Sequence, residues 1–554
     1  MRLTPRHREP RQARYDYIVI GSGSAGSVIA ARLAEDDVSV LLLEAGPWDD
    51  SIYLKMPAAL AIPLANDKFN WYYSSEPEPY LNNRKILEAR GRVIGGSSSI
   101  NGLNWVRGNP LDYDRWNQAG NAGWSFAEVL PYFRKAEAFS GASSEYRGED
   151  GPMRVEVCPA AHILYEKFLQ AGVEAGYPYV EDHNSFKQEG THKAQRNVSG
   201  GFRWSTSRGY LRDRAHWRNL DIVANARVHQ IEFAGKRAYG VRVKLAHESR
   251  ARSIEAEREV ILCGGALNSP QLLLLSGIGP IPELRRLGIP AVADIPGVGY
   301  GLKDHVAASV QYKITKNVSV ANQLTPLGKA KLGAEWLLFK RGLGGSNFFE
   351  VGAFIRTNDE EKIPNIQYEF TPMLGEVQHG AVSVGQGFQY FFNLLRPESE
   401  GRVWIDDADP RKSPRFVFNY LKSERDRKVM IEAVRATRQI IAQSAWDDLR
   451  GEETSPGADF VTDDQILAWL REHAGTVYHP CRSCRMGIDD LAVTDSHGLV
   501  HGVEQLRIVD ASIMPEIVSG NINAPVIMMA EKIADHIRKR QVLPPEDLSY
   551  YVAS

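Results

Sequence analysis

The chain has 554 residues, of which 43% are hydrophobic and 24% charged, and 66 basic side chains against 68 acidic ones leave a net charge of −2. This length excludes a small binding module, and the composition excludes a disordered or fibrous protein. The balanced charge gives no reason to expect a nucleic acid as a partner. Residues 1–14 are basic, contain proline and lack the apolar core of a signal peptide, so we predict a disordered tail there.

The first folded element is predicted to be a βαβ unit. The apolar run Tyr15–Ile20 predicts a buried strand, a helix follows in 27–35, and a second apolar run, Val38–Glu44, ends in an acid. Between the strand and the helix, residues 21–26 read GSGSAG, the glycine pattern of dinucleotide-binding turns. The unit alone does not distinguish FAD from NAD, and a glycine-rich turn that binds nothing is the alternative.

Three glycines and one acid in this unit have separate roles in binding a dinucleotide. Gly21 allows the tight turn, Gly23 lets the backbone approach a pyrophosphate, and Gly26 lets the helix pack closely on the strand. The N-terminus of the helix offers free N–H groups and a partial positive charge to phosphate. Glu44 can accept hydrogen bonds from the ribose hydroxyls.

Two further glycine-rich segments follow. Residues 91–101 read GRVIGGSSSIN, and such small residues let a backbone press against a flat ligand, although a surface loop is the commoner structure. Residues 259–280 begin with a β-branched apolar run that we expect to join the nucleotide sheet. After it, Asn268 or Ser269 is predicted to cap a helix that has Pro270 at its first position. A nucleotide domain assembled from separated segments is therefore expected.

Taken in order, these segments resemble the two signatures of the glucose–methanol–choline (GMC) oxidoreductases. The second segment, with its continuation to Asp114, is similar to one signature, and residues 265–279 are similar to the other. The resemblance extends from the first strand to about Ile537 and implies FAD as the cofactor. Because Ile100 stands where some members attach FAD through a histidine, the FAD is expected to be noncovalent.

The resemblance also implies the fold class and the domain organisation. The fold is expected to be α/β (α+β mixed), with a Rossmann-like FAD-binding domain built from discontinuous segments and a substrate-binding domain on a mainly antiparallel sheet. The predicted FAD-binding segments are 15–160, 200–310 and 476–540, the substrate-binding segments are 161–199 and 311–475, and 541–554 is a C-terminal tail.

By the same resemblance, FAD is expected to contact residues in the glycine segments, one later strand and the C-terminal part of the chain. They are Gly21, Ser22, Gly23, Ser24, Ala25, Gly26, Glu44, Ala45, Arg92, Gly95, Gly96, Ser97, Ser98, Asn101, Gly102, Val228, Asp510, Ala511, Asn521, Asn523, Ala524 and Pro525. For Asp510, a helix or turn cap is the alternative role.

The C-terminal part of the chain also carries the predicted catalytic residues. Oxidising an alcohol removes a hydride from carbon and a proton from oxygen; flavin N5 can take the hydride, and histidine, with an ordinary pKa of about 6.5, suits the proton. Residues 476–487 (TVYHPCRSCRMG) resemble the family's catalytic segment, which implies His479 as the base. Asn523, where the family has histidine or asparagine, is implied to hydrogen-bond the substrate oxygen. A helix in 526–538 would direct its N-terminus at the negative charge of reduced flavin.

The four cysteines are predicted to be reduced and not catalytic. Cys481 and Cys484 form a CxxC pair, which can be redox-active or half of a zinc site. Zinc needs four ligands and the sequence has no second CxxC, so no metal is predicted. The sequence contains no uninterrupted run of about 18 apolar residues, so no membrane-spanning helix is predicted. We therefore expect a cytoplasmic protein, with membrane contact restricted to a peripheral one at the inner face of the cell membrane.

Segments outside the signatures resemble the choline-oxidising members of the family. A quaternary ammonium group needs aromatic faces and a carboxylate. Glu350 stands where those members have an acid, and Trp105 and Tyr478 could add aromatic faces. Glu369 replaces a histidine that lies near the substrate in those members. Other alcohol dehydrogenases of the family also carry an acid at the first of these positions, so a structural role or a different substrate is the alternative.

The sequence thus predicts FAD-dependent oxidation of a primary alcohol to the aldehyde, with choline as the expected substrate and betaine aldehyde as the product. The alternative substrates are neutral aliphatic or aromatic primary alcohols. Electrons are expected to pass to a quinone-type acceptor or to oxygen, and the oligomeric state is left open. A noncatalytic flavin-binding protein is a third hypothesis, against which the presence of both His479 and Asn523 argues.

Overall fold

The computed structural model describes residues 9–378 and 381–553. Residues 1–8 of the predicted N-terminal tail lie outside the described residues. In the rest of that tail, the Arg11 backbone N–H donates to the Asp221 carboxylate (2.9 Å), and Arg14 already begins the first strand. The C-terminal segment packs against the body of the protein, with the Tyr551 N–H donating to the Phe186 carbonyl (2.8 Å).

Two seven-stranded sheets organise the described part of the chain. Their strands, in chain order, are β1 (Arg14–Ile20), β2 (Val40–Leu43), β3 (Gly190–Lys193), β4 (Leu220–Val223), β5 (Ala226–Ala234), β6 (Arg237–Leu245), β7 (Arg252–Leu262), β8 (Val306–Ile314), β9 (Val351–Ile355), β10 (Ile366–Thr371), β11 (Phe388–Leu394), β12 (Arg450–Ser455), β13 (Gly475–Thr476) and β14 (Leu506–Ile508). Smaller two- and three-stranded sheets use Tyr73–Ser74, Leu87–Glu88, Glu137–Phe139, Met153–Val157, Gln195–Arg196, Val198–Ser199, Phe202–Arg203, Ile278–Gly279, Ala293–Asp294, Tyr300–Leu302, Leu374–Gln378, Ala381–Gly385, Gly401–Trp404 and Arg415–Val417.

The helices lie between these strands. Those in the described residues are α1 (Ser24–Leu33), α2 (Ile52–Lys55), α3 (Ala61–Leu64), α4 (Pro110–Gln118), α5 (Phe126–Ala136), α6 (Ile163–Glu174), α7 (Gly265–Leu275), α8 (Ile281–Arg286), α9 (Pro326–Phe339), α10 (Glu424–Ile441), α11 (Asp463–His473) and α12 (Asn523–Ile537). Helices α1 and α12 pack together beside the first sheet, where the Arg32 guanidinium holds the Glu531 carboxylate through two hydrogen bonds (2.8 and 2.7 Å).

The first sheet has the strand order β4-β2-β1-β7-β6-β5, and β14 pairs with the end of β7. Strand β1 is central and has parallel neighbours, with Ile18 opposite Leu41 of β2 and Val260 of β7. Strand β2 is buried along its whole length, as an apolar strand covered on both faces should be. Since parallel strands end at the same edge, the turns after β1, β7 and β14 converge there. The prediction that separated segments build one nucleotide sheet is confirmed.

The second sheet has the strand order β12-β8-β11-β10-β9-β3, with β13 beside β8, and every pairing in it is antiparallel. Alternation along β10 directs Tyr368 and Phe370 into a core shared with α6 and α10, and Glu369 to the opposite face. The expected antiparallel sheet is confirmed. Because β8 begins at Val306, it crosses the predicted domain boundary at 310, and the domain bounds stay a prediction.

Helix α7 begins five residues before the predicted start at Pro270, at Gly265, so that prediction is wrong. The Asp510 carboxylate, from a distant segment, accepts the Gly265 N–H (2.8 Å) and stabilises the early first turn. Proline inside a helix leaves the carbonyl four residues earlier without its N–H donor. Here that carbonyl belongs to Ala266, and the Ser483 hydroxyl donates to it instead (2.6 Å). Both stabilising contacts come from residues remote in sequence.

Candidate active site

A cavity of about 1310 Å³ connects the C-terminal edge of the first sheet with the Glu369 face of the second sheet, opposite the face that packs against α6 and α10. It brings together most of the residues predicted from the sequence. Those that line it are Gly21, Gly23, Ser24, Ala25, Glu44, Ala45, Gly96, Ser97, Asn101, Gly102, Val228, Glu369, Tyr478, His479, Asp510, Ala511, Asn521 and Asn523. The volume is large enough for a drug-sized ligand and more, which fits a dinucleotide together with a small substrate.

Other predicted residues lie behind this lining. They are Ser22, Gly26, Arg92, Gly95, Ser98, Trp105, Glu350, Ala524 and Pro525. One of them supports a lining residue, since the Ser22 hydroxyl donates to the Glu44 carboxylate (2.8 Å). Within the set itself, the Ser98 hydroxyl donates to the Gly95 carbonyl (2.6 Å). For the members of this set that were predicted to contact FAD, that contact stays a prediction.

The glycine turns form a cradle at the first sheet. A methyl group on Gly26 would lie 1.8 Å from the Gly21 carbonyl oxygen, and one on Gly96, which has φ +53°, would lie 2.5 Å from the Gly23 Cα atom. In contrast, a methyl group on Gly23 would meet no protein atom closer than 3.9 Å and would project into the cavity. Two glycine segments therefore touch each other and leave backbone open to a ligand. This arrangement fits the pyrophosphate of a dinucleotide at the N-terminus of α1.

Two carboxylates border the same end of the cavity. Glu44 follows β2 and accepts the backbone N–H groups of Ser22 (3.0 Å) and Gly46 (2.8 Å), and its burial raises the pKa of its side chain. Asp510 accepts the Ser269 hydroxyl (2.6 Å) and the Ser512 N–H (2.8 Å). Asp510 thus acts as a cap and also lines the cavity, so a capping role is compatible with the predicted contact with FAD.

The loop that carries His479 is held by one buried carboxylate. Asp304 accepts the His479 backbone N–H (2.7 Å), the Thr476 hydroxyl (2.6 Å) and the Tyr420 hydroxyl. Tyr478 has φ +67°, a left-handed conformation that is strained for a tyrosine. The supporting role of Asp304 was not predicted, because no local pattern marks this residue beyond its place just before β8.

A second histidine, which was also missed, sets the protonation of His479. The His305 Nε2 atom lies 3.1 Å from the Leu395 carbonyl and 3.0 Å from the Val518 carbonyl, so it carries the proton and donates. The His305 Nδ1 atom is then an acceptor for His479 Nδ1–H, 3.0 Å away. This tautomer leaves the lone pair of His479 on Nε2.

The charge state of the two imidazoles follows from their surroundings. Burial lowers the pKa of His305 to about 4. Burial, together with the neighbouring His305 and Arg90, lowers the pKa of His479 well below its ordinary value. Because the low-dielectric interior disfavours the imidazolium, His479 is neutral at neutral pH and can accept a proton at Nε2.

The partner of that nitrogen is Asn521 and not the predicted Asn523. The Asn521 amide nitrogen lies 3.3 Å from His479 Nε2. Asn523 is the first residue of α12, which begins three positions before the predicted start. Its side-chain amide oxygen accepts the Ser24 hydroxyl (2.6 Å). The geometry therefore assigns Asn523 to the glycine cradle. Two asparagines two positions apart could not be distinguished without knowing where the helix begins.

Two of the predicted substrate residues are directed away from the cavity. Glu350 pairs with Arg196 (3.3 Å) and accepts the Ser346 hydroxyl (2.6 Å). Trp105 is fully buried, and its indole N–H donates to Glu137 (2.7 Å). The predictions that these two side chains contact the substrate are corrected, because a buried ion pair and a core hydrogen bond already use their polar groups. Glu369 and Tyr478 do line the cavity.

All four cysteines are free and buried. Burial raises the pKa of the Cys481 and Cys484 thiols, which disfavours the reactive thiolate. Among the residues that the structure describes, no group of three or more His, Cys, Asp or Glu side chains could hold a metal ion. In the same residues, no helix has the length and apolar character that crossing a membrane requires.

Comparison with known proteins gives matches along nearly the whole chain. Family models described as GMC oxidoreductase match residues 15–307 and 397–530. The chain is 48% identical to an oxygen-dependent choline dehydrogenase of Ectopseudomonas mendocina over 545 residues, 97% of this chain and 96% of that protein.

Solved structures with similar folds are also known. A pyridoxine 4-oxidase from Mesorbium loti has a TM-score of 0.86 and 29% identity, covering 95% of this chain and 99% of the other. An FAD-dependent oxidoreductase from Chaetomium thermophilum has a TM-score of 0.86 and 27% identity, with coverage of 95% and 99%.

Proposed function

Because the chain belongs to the GMC oxidoreductase family, we propose that it binds FAD noncovalently and oxidises choline to betaine aldehyde. The observation that carries the chemistry is a neutral His479 whose Nε2 atom faces Asn521 in a cavity continuous with the glycine cradle. The choice of choline is supported by 48% identity to an oxygen-dependent choline dehydrogenase over 97% of this chain. A neutral primary alcohol is the alternative substrate.

The chain's own residues provide the cofactor site. Gly23 and Gly96 leave backbone open for the pyrophosphate, and the N-termini of α1 and α12 direct partial positive charge into the cavity. When bound, FAD supplies the acceptor for the hydride of the alcohol. Ile100 offers no side-chain nucleophile to a flavin, which supports noncovalent binding.

His479 and Asn521 manage the hydroxyl group of the alcohol. His479 accepts the hydroxyl proton at Nε2, since its Nδ1–H is held by His305. The Asn521 amide N–H donates to the alcohol oxygen and stabilises the negative charge that develops there as the proton leaves. Burial of His305 and His479 excludes water and keeps the base neutral before the reaction.

Oxygen is the electron acceptor that we propose from the similarity to oxygen-dependent relatives, with a quinone-type acceptor as the alternative. The cytoplasmic location is proposed from the free thiols. A peripheral membrane contact would use α9, whose Leu327, Leu338 and Phe339 side chains are exposed and lie among lysines. The oligomeric state is left open.

Replacing Asn521 by alanine is expected to slow alcohol-driven flavin reduction about 10²-fold, because one donor to the developing alkoxide is lost. Asn523→Ala is the matched control, since Asn523 bonds Ser24 of the cradle. That control is expected to weaken FAD retention and to leave the reduction rate of the FAD-loaded fraction within about threefold of the unmodified enzyme. Rapid mixing under anaerobic conditions measures both. If flavin reduction is slow in Asn523→Ala and unchanged in Asn521→Ala, Asn523 and not Asn521 is the donor to the alcohol oxygen.

Turnover of choline and of a panel of neutral primary alcohols tests the proposed substrate. The purified holoenzyme is assayed with oxygen and, separately, with a soluble quinone. We expect kcat/KM for choline to exceed that of every neutral alcohol in the panel with at least one acceptor. Turnover of neutral alcohols without any turnover of choline would establish the alternative function.

A further inference from the structure

We propose that Glu369 anchors a quaternary ammonium subsite, in which its carboxylate and the rings of Phe349 and Phe391 hold the cationic end of the substrate. The alcohol end of the same molecule then lies at His479. This inference deepens the proposed function and depends on it for the identity of the alcohol. It moves the anionic role from Glu350, where the sequence resemblance placed it, to a strand of the antiparallel sheet.

The sheet places Glu369 beside an aromatic side chain. Glu369 lies on β10, directly opposite Phe391 of β11, so both side chains project from the same face of the sheet. The Phe391 and Phe349 rings lie 6.0 Å apart in an edge-to-face arrangement, and both rings line the cavity. An aromatic surface next to a carboxylate is the chemistry that recognises a quaternary ammonium group.

The charge of Glu369 is not neutralised by the protein. Its carboxylate accepts the amide N–H groups of Asn104 (2.5 Å) and Asn521 (3.3 Å). Across residues 9–378 and 381–553, no lysine, arginine or histidine forms an ion pair with it. Burial raises the pKa of Glu369, and a bound cation would favour its charged form again.

The other carboxylates of the region are already used. Glu350 is compensated by Arg196 and accepts the Ala160 N–H (2.9 Å). Glu88, which lines the cavity, lies 3.4 Å from the Arg90 guanidinium. Glu44 and Asp510 are bound by backbone N–H groups at the nucleotide end. Glu369 is therefore the carboxylate of this cavity that is best able to receive a cationic substrate.

The distance between the carboxylate and the base limits the size of the substrate. The Asn521 amide nitrogen lies 3.3 Å from the Glu369 oxygen and 3.3 Å from His479 Nε2, so it bridges the two groups. A molecule that reaches both must be short, with its cation only a few atoms from the hydroxyl. A two-carbon amino alcohol with a trimethylated nitrogen meets that requirement, whereas a long-chain amine would place its charge elsewhere.

The test compares a cationic and a neutral alcohol of the same shape. Choline and its carbon isostere 3,3-dimethylbutan-1-ol are assayed with the unmodified holoenzyme and with Glu369→Gln, which keeps an oxygen for the Asn104 amide. Tetramethylammonium is measured in parallel as a competitive inhibitor of oxidation of the neutral alcohol. Glu452→Gln is the control, since Glu452 is an exposed carboxylate on the edge strand β12 of the same sheet.

For Glu369→Gln we expect kcat/KM for choline to fall about 30-fold or more, because a buried charged partner is removed. The inhibition constant of tetramethylammonium should rise by a similar factor. The value for 3,3-dimethylbutan-1-ol should fall by a factor about tenfold smaller than the value for choline, because the glutamine oxygen can still accept the Asn104 and Asn521 amide N–H groups. With Glu452→Gln, both substrates should stay within about threefold. Unchanged inhibition by tetramethylammonium, or an equal loss for both alcohols, would overturn the subsite.

The inhibitor separates this inference from the proposed function. If the unmodified enzyme does not oxidise choline but tetramethylammonium inhibits it in a manner that depends on Glu369, the choline assignment fails and the subsite stands. If tetramethylammonium does not inhibit the unmodified enzyme, the subsite itself is wrong. If Glu369→Gln does not retain FAD, Glu369→Asp is measured in its place. This variant keeps the carboxylate, but its side chain is shorter by one methylene group. We expect its preference for choline over the isostere to fall at least threefold, and an unchanged preference would contradict the proposal.

Discussion

Replacing His479 by alanine is expected to slow alcohol-driven flavin reduction about 10²- to 10⁴-fold while FAD stays bound. The reason is that His479 Nε2 is the only nitrogen of the imidazole left free to accept the hydroxyl proton, because Nδ1–H donates to His305. The side chain stands at the substrate end of the cavity and away from the glycine cradle. Stopped-flow measurement of the flavin absorbance under anaerobic conditions gives the rate directly.

Two controls make this prediction specific. His501→Ala removes an exposed histidine and is expected to reduce its flavin at the unmodified rate. Chemical reduction by dithionite should proceed equally in His479→Ala and in the unmodified enzyme, which shows that the flavin itself is intact. Alcohol-driven reduction of His479→Ala at an unchanged rate would mean that another group takes the proton.

The second large effect is expected at Gly23. A methyl group there would meet no protein atom closer than 3.9 Å, and Gly23 has φ −67°, so Gly23→Ala should leave the fold intact. The same methyl group occupies the space in front of α1 where the pyrophosphate would bind. We expect the dissociation constant of FAD to rise about 10- to 100-fold through overpacking of a close contact. Flavin fluorescence on titration of the apoprotein measures it.

Gly26→Ala is the contrasting variant. Its methyl group would lie 1.8 Å from the Gly21 carbonyl oxygen, so the backbone of the turn itself must move. We expect a lower melting temperature and poor recovery of folded protein, whereas apo Gly23→Ala should melt within about 2 °C of the unmodified apoprotein. If Gly23→Ala binds FAD as tightly as the unmodified chain, the cradle is not where the pyrophosphate lies.

The nucleotide half of the fold could be predicted because its signals are local. The strand, glycine turn and helix of the first βαβ unit are contiguous, and each residue type has one steric reason to be there. The apolar run that becomes the end of β7 is short and β-branched, which is sufficient to place it in a buried parallel sheet. The family, the fold class and the noncontiguous sheet are confirmed on this basis.

The substrate half could not be predicted to the same depth because its roles depend on contacts between distant residues. Glu350 follows two phenylalanines in the sequence, a combination that suits an ammonium-binding site. In the structure, Arg196, more than 150 positions away, neutralises its carboxylate. His305 is one of 14 histidines, and only the pairing with His479 reveals its role. The start of α7 depends on Asp510, and the choice between Asn521 and Asn523 depends on where α12 begins. Each of these is settled by tertiary structure and not by local pattern.

Anaerobic mixing of the FAD-loaded enzyme with choline tests the central claim most directly, because it needs no assumption about the electron acceptor. We predict that choline bleaches the visible absorbance of the flavin and that admission of oxygen or addition of a quinone restores it. A flavin that stays oxidised with choline, yet is bleached by a neutral primary alcohol, would contradict the proposed substrate. A flavin that no alcohol bleaches would contradict the account of His479 and Asn521 as the proton-accepting site.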